Sequence, residues 1–379
     1  MMKRGLSALA CIGGIIWAAW GPLPSAWADE FPMSTDVFVS GQDGYFAYRI
    51  PCIVTAPDGS LLAFVEARKH NLADPGGKGQ DIDLALKIST DRGRTWSKMI
   101  IVEDPGELWS AANAAAVTDQ TTKRVWVFYV RCKPGRGTHA ARPGTEDVQN
   151  LARWSDDNGR TWSEPIDLTR VARDFDDPQW RITVPGPGGA IQTSKGRLIV
   201  ACWSYAPMRD FVIYSDDHGQ TWHRSSPVPS EEGINENQVV ELVDGRILMD
   251  GRQSRGDCRL LSESRDGGQT WSPPRPGPKV TPVMCGIERF TRAHGLGTKD
   301  RIVWTGPQGP GRMKLAIWTS YDEGLSFKNP RLIYDGPSAY SDLTLLDDGT
   351  IGILWERGIK RGYEFITFTR VALSFLEPR

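Results

Sequence analysis

The chain has 379 residues, with 45 Lys and Arg against 46 Asp and Glu and a formal net charge of −1. That near-neutral balance gives no reason to expect nucleic acid or an anionic membrane surface as a partner. Six scattered cysteines and five scattered histidines include no Cys-x-x-Cys or His-x-x-x-His spacing, so neither a metal site nor a cofactor is expected.

At the N-terminus, Lys3 and Arg4 precede an apolar stretch from Leu6 to Trp20, then Pro22, Pro24 and the small-residue site Ala26-Trp27-Ala28. This pattern predicts an export signal over residues 1–28 and a single mature domain over 29–379, secreted or periplasmic. The apolar stretch is too short, and too closely followed by prolines, for a membrane span. Cys11 sits too early in it for lipid attachment. Cleavage leaves 351 residues, a net charge of −3 and five cysteines, an odd number that is no disulfide framework. Cys52 and Cys202 lie in apolar runs and are expected to be buried. His218 and His223 flank a turn and are expected to face solvent.

Beyond the signal, two repeats interleave. One is a turn pattern close to Ser-x-Asp-x-Gly-x-Thr-Trp, at Ser89–Trp96, Ser155–Trp162, Ser215–Trp222, Ser264–Trp271 and, degenerate, Ser320–Phe327. Asp hydrogen-bonds nearby backbone and Gly tolerates positive φ, so each box is a turn, with its Trp pinning the turn onto the sheet beneath. The other repeat is a turn followed by an apolar, β-rich run, starting at Gly59, Arg124, Gly196, Gly245, Asp300 and Gly349. Further strands are expected at Ile82–Ser89, Phe211–Ser215, Leu260–Ser264 and Leu315–Ser320. No amphipathic helix of useful length follows the signal. Six apolar strands and five boxes predict an all-β, six-bladed β-propeller; the blade without a box would join the chain ends. A β-sandwich explains the long-period repeat poorly. Lys133–Gln149, Asp176–Gly189 and Pro273–Pro282 read as loops, being rich in Gly, Pro or charge.

Several apolar runs end in a charged residue: Arg68, Arg131, Arg252 and Glu356. Charges at the ends of buried strands are costly unless paired or bound to a ligand. Inner propeller strands converge on the axis, so arginines from different blades can meet there and bind a carboxylate with their forked donors. An acidic small ligand follows from this reading.

Tyr48-Arg49-Ile50-Pro51 (YRIP) together with the boxes resembles the exo-sialidase (neuraminidase) family over nearly the whole mature chain. The resemblance implies a six-bladed propeller that removes terminal sialic acid from glycans, glycoproteins or glycolipids with retention of configuration. It implies a three-arginine clamp on the sugar carboxylate at Arg49, Arg252 and Arg312, with Arg289, Arg292 and Arg301 as competitors for the third place. It implies a nucleophile at Tyr340, in Ala339-Tyr340-Ser341-Asp342-Leu343, paired with Glu236. A carboxylate nucleophile would be repelled by the substrate's own carboxylate, whereas a neutral phenol can approach and be deprotonated in step. Nearby arginines should favour the phenolate. The general acid–base residue maps to Asp74, in a mobile, exposed Pro/Gly loop, with Asp81 and Asp83 as rivals; Asp83, at a strand start, reads as structural. Arg68 is expected to line the same pocket, and Glu356 to hold Arg49. The Trp109–Ala116 segment is expected to be a loop beside the N-acyl pocket.

Two other functions remain open at this stage. One is a non-catalytic propeller that binds glycan or protein. The other keeps the site but forms a new sialoside or an anhydro sugar, as a transferase or intramolecular variant. A monomer is expected in each case.

Overall fold

The computed structural model describes residues 32–293 and 299–377. The expected export signal and its cleavage site lie outside these residues, as do Cys11 and His294. The described chain is all-β, its only helical pieces being α1 (Thr169–Ala172) and α2 (Leu373–Leu376).

The strands in chain order are β1 (Met33–Val39), β2 (Ala47–Thr55), β3 (Leu61–Arg68), β4 (Ile82–Ser89), β5 (Ile100–Glu103), β6 (Ser110–Asp119), β7 (Arg124–Cys132), β8 (Val148–Ser155) and β9 (Ile166–Asp167). Then come β10 (Ile182–Gln192), β11 (Leu198–Tyr205), β12 (Arg209–Ser215), β13 (His223–Arg224), β14 (Ile234–Glu241), β15 (Ile247–Gln253), β16 (Cys258–Ser264) and β17 (Arg275–Lys279). The last are β18 (Gly286–Thr291), β19 (Arg301–Pro307), β20 (Met313–Ser320), β21 (Lys328–Leu345), β22 (Ile351–Arg357) and β23 (Phe365–Val371).

Consecutive strands pair antiparallel in runs of four: β2–β5, β6–β9, β10–β13 and β14–β17. The fifth run is β18–β20 with the first half of β21. The sixth joins the second half of β21 to β22, β23 and β1. One parallel contact, Ile82 with Ser110, and the shared β21 merge these runs into four sheets. The first strand of each run packs beside the first strands of its two neighbours, from β2 through β6, β10, β14 and β18 to β21 and back to β2. Each box lies between the third and fourth strands of one of the first five runs. The sixth run has none and takes β1 from the N-terminal end of the described residues.

All five boxes close with the same hydrogen bonds. The serine Oγ accepts from the glycine N–H at 2.8–2.9 Å. The aspartate accepts from the backbone N–H of the next Thr or Ser at 2.8–2.9 Å. The glycine does more than tolerate positive φ. A Cβ on Gly93, Gly159, Gly219, Gly268 or Gly324 would stand 2.0, 2.5, 2.5, 3.3 or 2.4 Å from Phe368, Leu62, Trp126, Val212 or Leu248 respectively. Each of those partners belongs to the preceding run, and for the first box that is the sixth run. Box tryptophans reach the same way: Trp96 onto Phe368 at 5.5 Å, Trp162 onto Phe64 at 5.7 Å and Trp222 onto Phe128 at 5.1 Å between ring centroids. The sheet beneath each box is thus that of the preceding run, and the boxes join neighbouring runs.

Four expectations need correction. Trp109–Ala116 is not a loop: from Ser110 it is β6, buried along its whole length. From Ile182 on, Asp176–Gly189 is β10, which absorbs Gly186–Gly189 as a bulge where its register with β11 shifts. Pro273–Pro282 contains β17, an edge strand, the position where prolines do not break a ladder. Lys133–Gln149 is a loop as far as Asp147. Cys52, Cys132, Cys202 and Cys285 are buried free thiols and Cys258 is half-buried. His218 is not simply solvent-facing, since its Nδ1 lies 2.9 Å from the buried Asp119 carboxylate.

Candidate active site

Five of the six first strands share one irregularity, and β18 slips separately between Arg289 and Thr291. Register slips between Arg49 and Cys52 in β2, Ala112 and Ala115 in β6, Pro185 and Ala190 in β10, Asn235 and Gln238 in β14, and Ser338 and Ser341 in β21. A bulge adds a residue and re-aims its side chain. At these bulges Ile50, Asn113 and Glu236 take φ of 57°, 56° and 39°. For a β-branched residue such as Ile50 that conformation is strained, and strain of this kind concentrates at functional sites. Arg49, Asn113, Glu236 and Tyr340 all border one cavity of about 490 Å³ at this end of the strands.

Tyr340 and Glu236 meet at its floor. The Tyr340 hydroxyl donates to the Glu236 carboxylate, 2.7 Å from both oxygens. Arg252 lies opposite Asn235 in the β14–β15 register, one residue from Glu236. Its Nη1 bonds Glu236 and donates to the Tyr340 oxygen at 3.0 Å. Burial, then the Glu236 charge, push the Tyr340 phenol well above its ordinary range; Arg252, Arg49 and Arg312 offset this only in part. The expected phenolate bias of the arginines is thus outweighed, and at rest Tyr340 is a neutral phenol.

Glu356, at the end of β22, organises the next layer. It accepts from Arg49 Nε at 2.6 Å and from the backbone N–H groups of Ile50 at 3.0 Å and Tyr340 at 3.2 Å. One carboxylate thus ties the β2 bulge to the β21 bulge. Burial opposes the Arg49 charge, but Glu356 outweighs it and raises the guanidinium above its usual range. Tyr363 lies over Arg49 with 4.0 Å from guanidinium carbon to ring centroid, and its hydroxyl bonds Arg312 Nη1. Arg49, Arg252 and Arg312 all line the cavity. The three competitors do not: Arg289 pairs with Glu323, Arg292 with Glu241 and Arg301 with Glu377. Arg289 and Arg292 line a separate cavity of about 770 Å³ at the opposite ends of the same first strands. Arg131, which also ends an apolar run, pairs with Glu103 and takes no part.

Arg68 is fully buried, with Nε and Nη2 on Glu66 at 3.0 and 2.6 Å. Its Nη1 donates to the carbonyls of Leu72 and Ala73 at 2.7 and 3.1 Å, and Nη2 lies 3.6 Å from the Asp74 carboxylate. Asp74 itself is 85% exposed at its side chain. Its loop is not free, however. Gln80 Nε2 also holds the Ala73 carbonyl, Gly77 N–H donates back to the Asp74 carbonyl at 2.8 Å, and Gly76 N–H donates to Ser110 Oγ at 3.1 Å. Asp74 is exposed and its backbone is clamped, where the sequence suggested a mobile loop. The rivals are engaged elsewhere: Lys69 lies 3.0 Å from Asp81 and 3.2 Å from Asp83, which also accepts from the Tyr45 hydroxyl.

Glu66, Asn113 and Tyr363 escaped the sequence reading. Glu66 carried a signal: a carboxylate inside the apolar run LLAFVEAR, two residues from Arg68 and so on the same strand face. Tyr363 carried none, because its ring meets Arg49 only in the folded chain.

An all-β chain of boxed turns, with arginines around a buried tyrosine–glutamate pair and an exposed aspartate above it, defines a class built to grip an anion and move protons beside it. Residues 59–353 match the BNR repeat-like domain. The chain is 31% identical over 362 residues to a sialidase of Micromonospora viridifaciens, covering 90% of this chain and 54% of that protein. It is 28% identical to a sialidase of Bacteroides fragilis (strain YCH46), covering 91% and 65%. It therefore spans about half to two thirds of the length of these curated relatives. Among solved structures, the Hadza microbial sialidase Hz136 superposes with a TM-score of 0.81 at 30% identity, covering 91% of this chain and 69% of that one. The intramolecular trans-sialidase of Ruminococcus gnavus, at 19% identity with a TM-score of 0.78 over 91% and 98% of the two chains, shares the fold. The chain belongs to the BNR repeat-like domain family, and these relatives are sialidases.

Proposed function

We propose that the chain is an exo-sialidase that hydrolyses terminal α-linked sialic acids from glycoconjugates with retention of configuration. The observation that carries the reading is the Tyr340 hydroxyl 2.7 Å from Glu236 in a cavity ringed by Arg49, Arg252 and Arg312. The six runs are read as the blades of a propeller. Support comes from the ring of first strands and from the first box packing back onto the sixth run. Residues 1–28 are read as an export signal; N-terminal sequencing of the secreted chain would test this.

The three guanidinium groups bind the substrate carboxylate, which puts the anomeric carbon above Tyr340. Glu236 takes the phenolic proton as Tyr340 Oη bonds to that carbon, while Asp74 protonates the departing glycosidic oxygen. Arg252, already donating to Oη, stabilises charge on that oxygen as it develops. Asp74, now ionised, then deprotonates a water that attacks the glycosyl–tyrosine bond. Glu236 returns its proton to Tyr340, and two inversions give net retention, sialidases being the tyrosine-nucleophile exception among retaining glycosidases.

The test is release of the fluorophore from an aryl N-acetylneuraminic acid glycoside, followed by NMR of the product. Free sialic acid appearing first as the α-anomer is expected. No release between pH 4 and 8 by folded protein would overturn the reading, and a 2,7-anhydro product or a new sialoside would reassign it to the transferase variants.

A further inference from the structure

Beside the catalytic cavity lies a second one of about 250 Å³, and the two share Leu72 and Tyr363 as walls. Its apolar lining is open to solvent, with Phe46 and Leu72 exposed by 47% and 37%. Its rim is the turn between β22 and β23, with the exposed side chains of Lys360 and Arg361. Among the described residues neither cation has a carboxylate within ion-pair distance. Glu364 is the acidic group on this wall. It accepts from the backbone N–H groups of Ile359, Lys360 and Arg361, which hold its carboxyl below the usual range, and Lys360 adds to that effect. Arg361 is left without an anion.

We propose that this cavity is a subsite for an acidic sugar next to the scissile bond, a second sialic acid in a sialic acid–sialic acid linkage. The inference rests on the sialidase reading. In that reading the bond broken lies at Asp74, and Leu72, two residues earlier, forms the lip between the cavities. The first sugar beyond the glycosidic oxygen therefore passes over Leu72 and Phe46. Its ring carbons cover that apolar surface, and its carboxylate meets the forked donors of Arg361, with Lys360 alongside. A neutral hexose would offer these cations hydroxyl acceptors but no counter-charge. Neither residue touches the sugar being removed.

The experiment compares wild type with the double variant Lys360→Ala, Arg361→Ala on three substrates: an aryl sialoside, a sialyllactose and an α2-8-linked disialyl oligosaccharide. Expected is a loss of about tenfold in kcat/KM on the disialyl substrate, equivalent to 1.4 kcal/mol, carried by KM. The aryl sialoside and sialyllactose should change by less than about twofold, well under that tenfold scale. The wild-type advantage on the disialyl substrate should also shrink as salt rises. Equal losses on the disialyl and lactose substrates, or none on the disialyl substrate, would overturn the acidic-sugar assignment. Wild type that is inactive on the aryl sialoside would instead overturn the sialidase reading.

Discussion

The five boxed turns and the five bulges of β2, β6, β10, β14 and β21 repeat opposite things. In the boxes the side chains recur and the result recurs with them: the same Ser–Gly and Asp–Thr bonds, the same reach onto the preceding run. In the bulges only the backbone event recurs, and the residues presented differ, namely Arg49, Asn113, Gly186–Gly189, Glu236 and Tyr340. A turn that must dock the same neighbour surface each time has little freedom to vary. A bulge that only re-aims a side chain can present any chemistry without disturbing the ladder beyond it. Scaffold and site are thereby separated within each of the first four runs, which carry both a box and such a bulge.

The comparison can be broken first at a bulge. Tyr340→Phe should lower kcat on an aryl sialoside by about 10²–10⁴-fold, the range associated with losing a positioned proton transfer, with thermal unfolding little changed. Retained turnover would remove Tyr340 from its assigned role.

The next effect comes from a loop that clamps the acid. Gly76 and Gly137 meet backbone to backbone: a Cβ on Gly137 would stand 2.1 Å from the Pro75 carbonyl oxygen. Gly137→Ala should therefore displace Asp74. The expected loss is about 10- to 100-fold in kcat on sialyllactose, whose leaving oxygen needs a proton. Little change is expected with a nitrophenyl leaving group. Equal losses on both substrates would mean general damage rather than a misplaced acid.

A box should fail differently. Asp157→Ala removes acceptors for Thr161 N–H at 2.8 Å and Thr161 Oγ1 at 2.6 Å. A stability loss of about 1–2 kcal/mol in denaturant titration is expected, with kcat/KM unchanged. A kinetic defect in the folded variant would blur the division between scaffold and site.

The smallest effect lies at the far ends of the first strands. Burial, with Asp342 nearby, raises the Glu288 carboxyl to about 8. The folded chain thus holds this proton more tightly than the unfolded one, whose carboxyl titrates near about 4.3. The corresponding stability is fully present below that pH and drains as pH rises towards 8. Glu288→Gln should shrink the difference in Tm between pH 4.5 and 8. Asp342, raised in the same sense to about 7, keeps some of the slope.

Much of this protein could be read from residues close together in the chain. Box turns depend on hydrogen bonds spanning four residues, and buried strands on runs of apolar side chains, so both were legible one segment at a time. The residue types at Arg49, Asp74, Glu236, Arg252, Arg312 and Tyr340 were legible as well, through a resemblance carried by YRIP and the boxes. What each does to its neighbours was not. Arg131 and Arg252 both end apolar runs, yet one meets Glu103 and the other meets Glu236 and Tyr340. The choice among Arg289, Arg292, Arg301 and Arg312 turned on which end of the first strands each one reaches. Pro185 and Pro276 sat in segments that looked like loops because a bulge and an edge strand are defined by a partner strand, not by composition. Burial of the Tyr340 phenol outweighs the arginines that favour its phenolate, and that burial is set by the whole fold. Local bonding made the turns and strands of this chain readable; charge pairing, burial and the meeting of bulges from separate runs depend on distances that exist only after folding.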